Sequence, residues 1–69
     1  VKENNMASIF PRPDLIGSFH QFGHFGVNYQ VIQPSREAED GWLVEIEVPE
    51  TGERLEYSLT AVLADPEAL

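Results

Sequence analysis

The sequence predicts a mainly β fold: a small four-stranded antiparallel meander, or an SH3-like barrel, with a short C-terminal helix. Apolar and polar residues alternate through much of residues 27–58, which is the two-residue period of a half-buried strand. Turns that contain glycine or proline interrupt this alternation at short intervals, as in antiparallel sheets. Near the C-terminus the apolar spacing changes to that of a helix. With 69 residues and no cysteine, one small hydrophobic core must hold the chain together.

The start of the chain carries no periodic pattern. We expect residues 1–14 to form an extended or disordered arm and residues 15–69 to form a single domain. Pro11 and Pro13 fix the backbone φ angle and bias the residues before them away from helix. Ile9 and Phe10 either fold back onto the barrel or make the arm a docking peptide.

The first five residues are expected to be a translated leader. Lys2 and Glu3 can be encoded by a purine run of the kind that positions a bacterial ribosome, at a suitable distance from Met6. We therefore predict that the native protein starts at Met6, and we leave residues 1–5 out of the fold prediction.

The first two strands are predicted where glycines bracket aromatic residues. These residues are Gly17, Phe19, Phe22, Gly23, Phe25 and Gly26. The side chains of the second strand that are predicted to face inward are those of Val27, Tyr29 and Val31. Pro34 is expected to end this strand because it cannot donate a hydrogen bond to the sheet. Residues 35–41 are polar and acidic, and they are predicted to form a surface loop.

The third and fourth strands are predicted to form a hairpin with a defined register. The residues on the inward face of the third strand are Trp42, Val44, Ile46 and Val48. Residues 49–52 form the turn, and apolar residues can face apolar residues only if the loop has an even length. This condition places Ile46 opposite Leu55 and Val44 opposite Tyr57.

The same register predicts an acidic surface on the outer face of this hairpin. Glu47 lies opposite Arg54 and attracts it, whereas Glu45 lies opposite Glu56 and repels it. No other residue of the hairpin neutralises the stripe. Glu45, Glu47 and Glu56 are therefore the candidate partner surface.

The C-terminal segment is predicted to be a short helix. Ser58 is a suitable N-cap, and Leu59, Val62 and Leu63 share one helical face. Asp65 and Pro66 end the helix.

No catalytic, cofactor or metal site is predicted. His20 and His24 are four residues apart, which is a metal-ligand spacing on a helix, but Gly23 and Gly26 disfavour a helix there. No nucleophile and base can be paired, so we do not expect an enzyme. The aromatic residues are numerous for a chain this short, and the candidate aromatic contact surface consists of Phe25, Tyr29 and Trp42.

The charge distribution favours one class of partner over others. The net charge is -8, and ten of the twelve carboxylates follow Arg36. Direct binding to nucleic acid is disfavoured because phosphates are met by lysine and arginine. The absence of long apolar runs disfavours membrane insertion, and the absence of cysteine favours a reducing cytoplasm. The expected partner is an unidentified basic protein, and the chain itself is expected to be a monomer or a weak homodimer that pairs through an open sheet edge.

Several motifs carry a resemblance to known proteins. They are Phe22-Gly23-His24-Phe25-Gly26 followed by Tyr29 and Val31, Glu50-Thr51-Gly52-Glu53, Tyr57, Leu59, Leu63, and Asp65-Pro66-Glu67-Ala68. Over residues 17–68 the chain resembles a family of short uncharacterised bacterial proteins, a domain of unknown function. The resemblance implies the meander fold but no activity and no catalytic residues.

These observations lead to two functional predictions. The first is a non-enzymatic protein-interaction or regulatory module that uses the acidic stripe. The alternative is a small-ligand or peptide-binding β barrel that uses the aromatic cluster.

Overall fold

A computed structural model describes residues 9–68 of the chain. The element order is a 3-10 helix at Pro13–Leu15, β1 (Phe19–Gln21), β2 (Asn28–Ala38), β3 (Gly41–Val48), β4 (Glu53–Ser58) and α1 (Leu59–Ala64). The four strands form one antiparallel sheet in the order β1-β2-β3-β4. The predicted meander with a C-terminal helix is therefore confirmed. The predicted leader, residues 1–5, lies outside the described residues.

The register of the β3–β4 hairpin agrees with the prediction at every predicted pair. Ile46 lies opposite Leu55, and Val44 lies opposite Tyr57. The turn is closed by the N–H of Gly52, which donates to the carbonyl of Val48 at 2.7 Å. Gly52 has a φ of 78°, a backbone conformation that other residues adopt at a cost, so the turn requires a glycine here.

β2 is longer than the sequence suggested, and the prediction that Pro34 ends it is wrong. The register of β2 against β3 shifts between Val31 and Gln33 and again between Pro34 and Arg36. Each shift is a bulge that inserts one extra residue, Ile32 or Ser35, and bulges are positions where a strand tolerates proline. The strand therefore continues to Ala38, and the predicted loop at residues 35–41 is reduced to a tight turn.

The sheet remains open rather than closing into a barrel. The short tail that follows α1 runs beside β1: Gln21 donates its N–H to the carbonyl of Pro66 at 3.0 Å, and Ala68 donates to Phe19 at 2.8 Å. The tail therefore occupies the free edge of β1, which a closed barrel would have joined to β4. α1 crosses the inner face of the sheet to bring the tail there.

The core lies between the inner face of the sheet and α1. Its buried residues are Leu15, Tyr29, Val31, Val44, Ile46, Val48, Leu59 and Val62. Two residues predicted to face inward do not: Val27 lies before the start of β2 and is 45% exposed, and Leu63 is 51% exposed on the outer side of α1. With six residues, α1 makes fewer than two turns and can bury only one narrow stripe of apolar side chains.

The N-terminal segment contributes to the core as well. Phe10 packs against Trp42 with ring centroids 5.4 Å apart in an edge-to-face arrangement, whereas Ile9 is 82% exposed. Of the two residues expected to fold back, Phe10 therefore packs on the domain and Ile9 does not.

Candidate functional site

The three carboxylates of the predicted stripe lie on the outer face of the sheet, opposite the core. Glu45 and Glu47 alternate with the buried residues of β3, and Glu56 faces Glu45 from β4. The structure therefore brings the three predicted residues together. It also shows that each of them has a partner.

Arg54 on β4 forms ion pairs with two of these carboxylates. Its Nε lies 2.9 Å from Oε1 of Glu47, directly across the hairpin, and its Nη1 lies 3.9 Å from Oε1 of Glu45. Gln33 on β2 donates a hydrogen bond from Nε2 to the same oxygen of Glu45 at 2.8 Å. Glu45 and Glu47 are thus balanced by Arg54 and by a neighbouring strand.

Glu56 receives its partners from the bulged part of β2. It accepts hydrogen bonds from the hydroxyl of Ser35 and from Arg36, whose Nε lies 3.3 Å from Oε2. These contacts, that of Ser35 foremost, hold the pKa of Glu56 below its usual value. The sequence placed Ser35 and Arg36 in a loop, so these partners were missed, and the stripe is less negative than the hairpin alone suggested.

An open groove of about 550 Å³ lies at the other end of the outer face, and the sequence did not indicate it. Its lining residues are Phe19, Val27, Asn28, Pro49 and Glu50. Phe19 is 39% exposed and Val27 is 45% exposed, so the floor is apolar and accessible. Within residues 9–68, the side chain of Glu50 makes no ion pair or hydrogen bond, and its carboxylate is left at the rim.

The groove lies between the β1–β2 turn and the β3–β4 turn. β1 and β2 are joined by residues 22–27, and Phe22 N–H closes this turn on the carbonyl of Val27 at 3.1 Å. A Cβ on Gly26 would overlap the carbonyl oxygen of Phe22, so a glycine is required there. The β3–β4 turn approaches from the other side and supplies Pro49 and Glu50.

The three residues of the predicted aromatic surface do not form one surface. Phe25 is fully exposed, Trp42 is half-buried against Phe10, and Tyr29 is completely buried. Phe25 precedes β2, whereas Trp42 pairs with Glu37 near the other end of that strand. The two rings are therefore attached near opposite ends of β2.

The ring of Tyr29 instead belongs to a polar cluster around Asp65. The Asp65 carboxylate accepts hydrogen bonds from the hydroxyls of Tyr29 at 2.7 Å and Tyr57 at 2.9 Å, and from the N–H of Gly23 at 3.2 Å. Burial opposes its charge, but these donors outweigh burial and keep the pKa of Asp65 below its usual value. Burial and the nearby carboxylate raise the pKa of both tyrosines.

Among the histidine, acidic and basic side chains of the described residues, that of His20 is the one that is buried. Its Nε2 lies 2.9 Å from the hydroxyl of Ser18, and its Nδ1 has no hydrogen-bond partner there. His24, the other histidine of the predicted metal-ligand spacing, is exposed. No three histidine, aspartate or glutamate side chains in the described part of the chain are grouped so that they could hold a metal ion.

A comparison with protein families identifies relatives of this chain. The model of the Family of unknown function (DUF5397) matches residues 7–69. The chain belongs to this family. The match to DUF5397 begins upstream of residue 17, where the resemblance seen in the sequence began, and it includes the segment that carries Phe10. No curated protein matches the chain. In the part of this DUF5397 member that the structure describes, no helix has the length and apolar character needed to cross a membrane.

Proposed function

We propose that this protein is a non-enzymatic interaction module that binds a basic segment of a protein partner in the groove on its outer face. The observation that carries the proposal is the combination of an exposed apolar floor, formed by Phe19, Val27 and Pro49, with the carboxylate of Glu50 at its rim. A surface that is apolar at its centre and charged at its edge is typical of transient protein interfaces.

The chemistry of the groove favours lysine and arginine side chains. Their methylene stems pack on apolar surface while their charged heads stay near water and carboxylates. The side chain of Glu50 is exposed and makes no ion pair or hydrogen bond within residues 9–68, so its charge is available to such a head group. The carboxylates of the predicted stripe, by contrast, already have partners, so the turn offers the stronger attraction for a cation.

The net charge of -8 also favours a basic partner, because it attracts a positively charged protein before the two are in contact. Such a charge speeds the encounter with a basic protein and repels nucleic acid, and its effect falls as the salt concentration rises. The stripe of Glu45, Glu47 and Glu56 then contributes attraction during the encounter rather than direct contacts.

A defined set of synthetic peptides tests this function. We expect peptides that alternate arginine with leucine to shift the backbone amide resonances of Val27, Asn28 and Glu50 in isotope-labelled protein, and acidic peptides of the same length to leave them unchanged. Glu50→Lys should weaken the binding about tenfold because it reverses the charge at the rim.

The matched control is Glu39→Lys, which makes the same charge change at the turn between β2 and β3, the far end of the sheet. This variant should bind nearly as tightly as the wild type. Equal weakening by both variants would show that net charge alone attracts the peptides, and the groove would then have no role.

A further inference from the structure

We propose that two copies of this chain associate through their β4 strands, antiparallel to each other, about a two-fold axis that passes through Leu55. Within residues 9–68, β4 has one strand neighbour, β3, and it forms the open edge of the sheet. The opposite edge, β1, is occupied by the tail. An open edge presents backbone N–H and C=O groups that a second strand can pair with.

The side chains of β4 are exposed on both faces of the sheet. Leu55 lies on the inner face, opposite Ile46, and is 37% exposed at the margin of the core. Arg54 and Glu56 lie on the outer face, and their side chains are 53% and 43% exposed. A strand added to this edge would therefore cover apolar surface on one face and meet charges on the other.

Symmetry limits the possible registers. A two-fold axis perpendicular to the sheet keeps inner residues opposite inner residues, so it must pass through a residue rather than between two residues. An axis at Arg54 places two arginines opposite each other, and an axis at Glu56 places two glutamates opposite each other. Like charges in directly opposite positions destabilise a strand pair.

A two-fold axis at Leu55 gives the register in which the opposite charges of Arg54 and Glu56 attract each other. Each Arg54 then lies opposite Glu56 of the second copy, and this contact occurs twice because of the symmetry. The two Leu55 side chains meet on the inner face and continue the apolar surface of both cores. In this arrangement Glu56, which faces the like charge of Glu45 within its own chain, gains a second cation.

Sedimentation velocity at increasing protein concentration tests the proposal, in salt of about 0.15 M so that the repulsion between two chains of net charge -8 is screened. We expect the wild type to show a reversible shift from the monomer mass to twice that mass. Arg54→Glu and Glu56→Arg should each weaken this association about tenfold or more, because each makes both cross-strand pairs repulsive. Circular dichroism verifies that each variant is folded.

Mixing the two charge variants gives the decisive result. The introduced glutamate of one chain would face the introduced arginine of the other, so the mixture should form a heterodimer although neither variant associates alone. Arg12→Glu and Glu39→Arg, which change the same charges away from β4, should associate like the wild type.

Leu55→Thr provides a second variant that keeps a good strand residue at the axis. It should weaken the association because it removes the apolar contact between the two copies. A wild type that stays monomeric at every concentration, or charge variants that associate as well as the wild type, would overturn the proposal, as would a mixture that forms no heterodimer.

Discussion

Asp65 is the residue that connects most parts of the fold. Its carboxylate binds Tyr29 on β2, Tyr57 on β4 and the backbone of Gly23 in the β1–β2 turn. Its own N–H ends α1 by donating to the carbonyl of Ala61 at 2.9 Å. The sequence indicated only the last of these roles, because Asp-Pro is a common helix end, while the tyrosines lie 36 and 8 residues away along the chain.

We expect Asp65→Ala to lower the free energy of unfolding by about 2 kcal/mol, since it leaves the hydroxyl of buried Tyr29 without an acceptor. Asp65→Asn keeps one acceptor oxygen, so its loss should be smaller. Urea denaturation followed by the fluorescence of Trp42 measures both. Glu39→Gln, which removes an exposed carboxylate, should leave the stability unchanged.

The contribution of Asp65 should depend on pH in a defined direction. Its pKa in the folded protein lies below the ordinary value of 3.8, so the unfolded chain takes up the proton first as the pH falls. The stabilisation is complete above pH 4 or so and is lost as the pH falls through the lower, folded pKa. The difference between wild type and Asp65→Asn should therefore shrink in this acidic range. A constant difference would assign the effect to shape rather than charge.

At the scale of elements, α1 depends on its N-cap. The helix has six residues, which is too short to be stable alone, and the hydroxyl of Ser58 accepts a hydrogen bond from the N–H of Ala61 at 3.3 Å. The cap satisfies one of the free N–H groups of the first turn and fixes where the chain leaves β4.

Ser58→Ala should cost about 1 kcal/mol of stability, the usual effect of losing an N-cap, and Ser58→Asp should retain most of it. Thermal denaturation followed by circular dichroism measures the change. Thr60→Ala is the matched control, because Thr60 is exposed in the same helix and alanine is a good helix former. If Ser58→Ala were as stable as Thr60→Ala, the cap would have no energetic role.

The two bulges of β2 change which side chains lie on the outer face of the sheet. Two extra residues move Ser35 and Arg36 onto the side of the sheet where Glu56 lies. Without the bulges, Pro34 would interrupt the ladder and Glu56 would face Glu45 with no partner from β2. The bulges thus explain why Glu56, one of the three carboxylates of the predicted stripe, has partners from β2.

At the scale of the whole molecule, one face of the sheet is covered by α1 and by the segment that precedes β1. Phe10 reaches Trp42 near the start of β3, and Leu15 is buried in the core. A chain of this length has a small core, so an aromatic contact from outside the sheet adds buried apolar surface that the sheet and α1 alone do not supply.

Phe10→Ala should lower the stability by about 1 to 2 kcal/mol, since it removes a half-buried ring and its contact with Trp42. It should also shift the emission of Trp42 to longer wavelength, because the indole becomes more exposed to water. Ile9→Ala is the neighbouring control, and it should change neither quantity because Ile9 is 82% exposed. Identical effects of the two variants would show that Phe10 does not pack on the core.

Local patterns in the sequence determined the hairpin of β3 and β4, the cap at Ser58 and the end of α1, because each depends on residues close together along the chain. The two-residue period and the even loop fixed the cross-strand partners of Val44, Ile46, Glu45 and Glu47.

Only the tertiary structure decided the bulges of β2, the open sheet, the groove beside Glu50 and the cluster around Asp65. Each of these depends on where distant segments meet: the tail reaches β1, two turns form the groove, and three elements surround one carboxylate. A periodic pattern reports which face of an element is buried, but it carries no information about which other element covers that face.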